Sequence, residues 1–88
     1  MNRYVLCGSA FTSRDEAYRY MAELFDFPEG AGRNLDALWD LLHDKPGSEI
    51  EIADAREIPK NLGEYGMKML DVFGDLQREE GFSVHIFW

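Results

Sequence analysis

The chain has 88 residues, room for one domain with a modest core. Seventeen Asp and Glu oppose nine Lys and Arg, a net charge of −8, which argues against nucleic acid or an anionic membrane as a direct partner, since both need clustered cations, and favours a cationic one. No apolar run approaches a membrane span, the N-terminus is too short and polar for a secretory signal, and the single cysteine, Cys7, allows no internal disulfide, so a cytoplasmic location is expected.

Tyr4, Val5 and Leu6 supply β-favouring bulk and predict a strand over 3–7, with Cys7 as a small buried hydrophobe and a break at Gly8 and Ser9. Ser13 and Glu16 have capping-box spacing. Ala17, Tyr20, Met21 and Leu24 then recur at helical period, and the helix should stop before Pro28. After a loop over 28–32, Asn34 is a good N-cap for a second helix over 35–43. Leu35, Leu38 and Leu42 form its inward stripe, with Trp39 at the border. Pro46 and Gly47 end that segment.

Glu49, Ile50, Glu51 and Ile52 alternate as a strand does. Asp54 and Glu57 are spaced to cap a short helix, which Pro59 keeps from being long. Met69, Leu70, Phe73 and Leu76 share one face of a longer helix over 65–80. Gly74 inside it has no evident purpose, and Gly81 is placed as its C-terminal cap. The last strand covers 82–88. The order β, α, α, β, (α), α, β predicts an α/β fold: a three-stranded parallel β-sheet with three to four packed helices. With no repeat, low-complexity tract or linker, residues 1–88 are expected to form a single domain.

The second helix carries the chemistry. Asp36, Asp40 and His43 fall at i, i+4 and i+7, one stripe turned away from the leucines. Two carboxylates one turn apart repel. Asp36 is compensated by the positive end of the helix, but Asp40 lies beyond its reach. Trp39 stands beside the stripe, where an indole can serve the core or supply rigid contact area to a partner. Three readings follow. The carboxylates, about 5–6 Å apart, mimic phosphates and meet the Arg, Lys and His side chains of an RNA-binding site. Alternatively, Asp36, Asp40 and His43 bind a divalent metal, although no fourth ligand is evident. Or the two carboxylates act as a general acid and base, although both sit on one convex face rather than in a cleft.

The run Pro28-Glu29-Gly30-Ala31-Gly32-Arg33-Asn34-Leu35-Asp36-Ala37-Leu38-Trp39-Asp40 resembles the signature of the barstar family, intracellular inhibitors of secreted bacterial ribonucleases such as barnase. Weaker similarity extends over the whole chain, and the family fold has the same element order. The resemblance implies that Asp40 is the central carboxylate entering a nuclease's phosphate site and that Asp36 is its neighbour. It implies that Gly32, Asn34 and Trp39 shape or line the interface, and that Asp75 faces the partner's basic rim. Glu79 and His43 are expected to flank these groups.

The chain departs from the family's type member at Gly30 and Ala31, where two tyrosines stand, and at His43 and Lys45, which replace a threonine and a tryptophan. The expected function is therefore one-to-one inhibition of a barnase-like ribonuclease or a nuclease toxin, by a protein that is not an enzyme, needs no cofactor or metal, and is monomeric when free. The alternative is a regulatory module for another basic protein.

Overall fold

The computed structural model describes residues 2–88. Strands β1 (Asn2–Cys7), β2 (Ser48–Ala53) and β3 (Phe82–Ile86) form one parallel sheet in the order β1-β2-β3. Helices α1 (Arg14–Phe25) and α2 (Leu35–His43) connect β1 to β2, and α3 (Glu57–Leu62) and α4 (Glu64–Leu76) connect β2 to β3. The expected α/β architecture is thus present, with four helices.

The sheet is two-sided in character. In β2, Ser48, Ile50 and Ile52 are buried, and Glu49, Glu51 and Ala53 are partly exposed. Register places Tyr4, Ile50 and Val84 side by side, and likewise Leu6, Ile52 and Ile86. This row of apolar side chains meets Met21 and Phe25 of α1, Leu38 and Leu42 of α2, and Met69 and Phe73 of α4 in one core cluster. The opposite face carries Arg3, Val5, Ser83 and His85, all exposed, and an Arg3–Glu51 ion pair at 2.7 Å. Parallel sheets usually have helices on both faces. Here the period-two alternation of β2 records that only one face is fully covered.

Local chemistry explains the element ends. Ser13 is extended and its Oγ accepts the Glu16 N–H at 3.1 Å, so half of the expected capping box forms. The Glu16 carboxylate instead lies 3.7 Å from Arg19. The buried stripe of α1 is Ala17, Tyr18, Met21 and Phe25, turned from the expected one. Tyr20 and Leu24 are only partly buried, and the Tyr20 hydroxyl accepts the Cys7 N–H at 2.9 Å. Cys7 is likewise only partly buried.

Three other expectations are corrected. Asp54 does not cap α3 with its side chain; it takes a left-handed conformation at φ 51°, and its carbonyl accepts the Glu57 N–H at 3.0 Å. Helix α4 ends at Leu76 rather than residue 80, and Gly81, at φ 91°, serves the turn into β3, where its carbonyl accepts the Gly47 N–H at 2.7 Å. β3 stops at Ile86, although Phe87 still donates to the Ile52 carbonyl and accepts from the Ala55 N–H.

The Tyr18 and Tyr65 hydroxyls are hydrogen-bonded, joining α1 to α4. Burial raises the pKa of Tyr18 above its ordinary 10.0, and the Tyr65 bond acts in the same direction, while Arg14 opposes them. The folded state therefore holds this proton more tightly than the unfolded chain does. The resulting stability is intact below pH 10.0 and is lost as the pH climbs from there toward the folded-state value. Urea unfolding followed across alkaline pH should show this decline, and Tyr18→Phe should flatten it. An equally steep decline in Tyr18→Phe would place the loss elsewhere.

Candidate protein-binding face

Helix α2 begins where the extended Asn34 turns its side chain onto the Ala37 N–H at 2.8 Å, satisfying one of the free donors of the first turn. Gly32 passes close by: a Cβ there would stand 3.0 Å from the Ala37 Cβ. Asn34 and Gly32 thus set where the helix starts. Leu38 and Leu42 are fully buried and Leu35 is partly so, which fixes the rotation of the helix about its axis. That rotation leaves Asp36 and Asp40 exposed. Among the described residues neither carboxylate has a cation within 4.0 Å.

His43 does not share that freedom. Its Nε2 lies 3.1 Å from Glu79 Oε1, its ring is 4.5 Å from the Trp39 ring, and it stacks on Phe82 at 5.6 Å with the planes 7° apart. Trp39 is half-buried and packs against the core. Trp39, His43, Phe82 and Glu79 therefore form one ledge joining the end of α2 to the start of β3. Phe82 was not legible as a member of this group, since it lies 39 positions from His43 and reads locally as a strand residue. Asp75 is exposed on α4, one turn before Glu79, with no cation within 4.0 Å among the described residues.

Beside the helix, the loop over 28–33 bounds a groove of about 240 Å³ floored by Tyr18, Phe27, Leu38 and Leu41. Gly30 and Ala31 contribute almost no side chain to its rim. The hollow lies against the flank of α2 away from Trp39.

The metal reading of Asp36, Asp40 and His43 meets a different geometry, because the His43 Nε2 is directed to Glu79. Among the described residues no three His, Cys, Asp or Glu side chains converge as a metal site, and no helix is long and apolar enough to cross a membrane. What α2 offers is an unneutralised pair of anions on a convex surface, next to an aromatic ledge. A family model described as Barstar (barnase inhibitor) matches residues 1–88, the whole chain. No curated protein matches it.

Proposed function

Because the chain belongs to the barstar family, we propose that it inhibits a microbial ribonuclease or nuclease toxin by forming a one-to-one complex that fills the enzyme's phosphate site. The observation that carries this reading is the exposure of Asp36 and Asp40 together, with no cation within 4.0 Å of either among the described residues. Carboxylates and phosphates are bound by the same Arg and Lys geometry. Asp40 occupies the phosphate subsite and Asp36 supports it. Trp39 supplies contact area, and His43 and Glu79 brace the ledge around it. Asp75 meets the basic rim of the cleft, and Asn34 and Gly32 hold the helix start in place. No step of this action turns over a substrate. The inhibitor works as one domain, monomeric and in the cytoplasm, and protects the cell from its own or a neighbour's nuclease.

The groove beside Gly30 and Ala31 fits a partner that brings its own bulky side chain to that position. The target is accordingly a basic nuclease whose rim differs from that of barnase. An RNA-cleavage assay in which small basic ribonucleases and nuclease-toxin domains are titrated with the protein tests the reading. Inhibition should be complete at one equivalent, and association should slow steeply as salt is added. Failure against every nuclease tried, with the protein folded, would sink the inhibitor reading in favour of another basic partner.

A further inference from the structure

A second feature lies apart from the acidic pair. Among the nine Lys and Arg residues, Arg3, Arg19 and Lys60 are paired with carboxylates, and Arg56 donates to the Trp88 carbonyl. Arg14, Arg33, Lys45, Lys68 and Arg78 have no carboxylate within 4.0 Å among the described residues. Of these, Arg14 and Arg33 line one concavity of about 390 Å³, together with Ser13, Asp15 and Tyr18.

Arg14 is held in place there. Its guanidinium carbon sits 3.8 Å from the centre of the Tyr65 ring, a cation–π contact, and Tyr65 is itself bonded to Tyr18. Ser13 Oγ accepts the Glu16 N–H, which leaves its own O–H free to donate. Arg14 and Arg33 thus bring two cationic side chains without a paired carboxylate among the described residues to the wall of one hollow, in a chain of net charge −8 where carboxylates are plentiful elsewhere. An anion in the hollow is attracted to both.

We propose that this hollow binds a phosphate-class oxyanion, gripped by Arg14 and Arg33 with the Ser13 hydroxyl as a further donor. A tetrahedral dianion presents separate edges to two guanidinium forks, whereas a single carboxylate presents one. Asp15, on the same rim, opposes the anion and weakens the site. The apolar groove that shares Tyr18 and Arg33 with this hollow offers space for an organic group attached to the phosphate. The source is thus either free phosphate or the phosphate end of a nucleotide.

Nitrogen-15 NMR titration of the whole chain at constant ionic strength, with inorganic phosphate in one arm and uridine monophosphate in the other, separates these sources. Saturable shifts are expected at the Arg14 and Arg33 Nε–H signals and at the Ser13 amide. Arg14→Gln and Arg33→Gln should each weaken binding about tenfold, the loss of one charge-assisted hydrogen bond. Lys68→Gln, which removes an exposed cation on α4, should leave it unchanged. Tighter binding of the nucleotide than of phosphate assigns the groove to the site, and equal affinities assign free phosphate as the source. Absence of saturable shifts with both probes, or undiminished binding by folded Arg14→Gln, overturns the proposal. The same spectra report whether each variant is folded.

Discussion

Asp40→Ala is expected to weaken inhibition of the target nuclease by about 2–5 kcal/mol, a factor of roughly thirty to several thousand in the inhibition constant. That is the general cost of truncating one side of a buried, hydrogen-bonded charge pair, a class to which the barnase–barstar complex itself belongs. The loss has two parts. The Coulombic attraction disappears, and the nuclease is left with desolvated cations facing a cavity. Asp40→Asn keeps most of the shape and removes only the charge, so it should lose nearly as much. Neither substitution should disturb the fold, because Asp40 is exposed and its carboxylate has no cation within 4.0 Å among the described residues; urea unfolding should shift by no more than about 0.5 kcal/mol. Inhibition by Asp40→Ala equal to that by the wild type would show that another surface does the binding.

The largest effect on stability is expected at Gly8. A Cβ there would stand 2.0 Å from the Asp54 carbonyl oxygen and 2.8 Å from its carbon. These are backbone atoms in a turn that has little room to yield. Asp54 is in the left-handed region at φ 51°, its carbonyl already accepts the Glu57 N–H, and the next residue, Ala55, is tied to Phe87. Gly8→Ala must therefore displace either the end of β1 or the turn leading from β2 into α3. A cost of at least about 3 kcal/mol, the upper end of ordinary overpacking, is expected, a large share of the total stability of a domain this small. Gly74→Ala provides the internal contrast. Nothing lies within 4 Å of the position its Cβ would take, and glycine weakens a helix interior, so a gain of up to about 1 kcal/mol is expected. Urea unfolding monitored by the fluorescence of Trp39 and Trp88 measures both. An unchanged midpoint in Gly8→Ala would mean that the Asp54 turn gives way easily.

Much of the architecture was legible because its signals are local. The capping chemistry of Ser13 and Asn34, the leucine spacing of α2 and the alternation of β2 each act within a few residues. Errors arose where a tertiary contact outweighed local pattern. Tyr20 fits the apolar stripe of α1 by spacing, yet its hydroxyl has a partner on the backbone of Cys7, so Tyr18 and Phe25 take the core. Helix α4 ends early although residues 77–80 are good helix formers, because the turn into β3 is bonded to Gly47. At the candidate face, the exposure of Asp36 and Asp40 follows from the spacing of α2 alone. The ledge of Trp39, His43, Phe82 and Glu79 was not readable as a unit, since its members come from two distant stretches of the chain, 39–43 and 79–82.

The division of α2 into a buried leucine side and a free acidic side has an evolutionary consequence. Asp36 and Asp40 are exposed, and removing either relieves a like-charge repulsion in the helix. Drift under selection for folding alone would therefore erode these carboxylates quickly, whereas selection for binding can exchange them without loss of the fold. Such a helix lets a binding face change while one scaffold is kept.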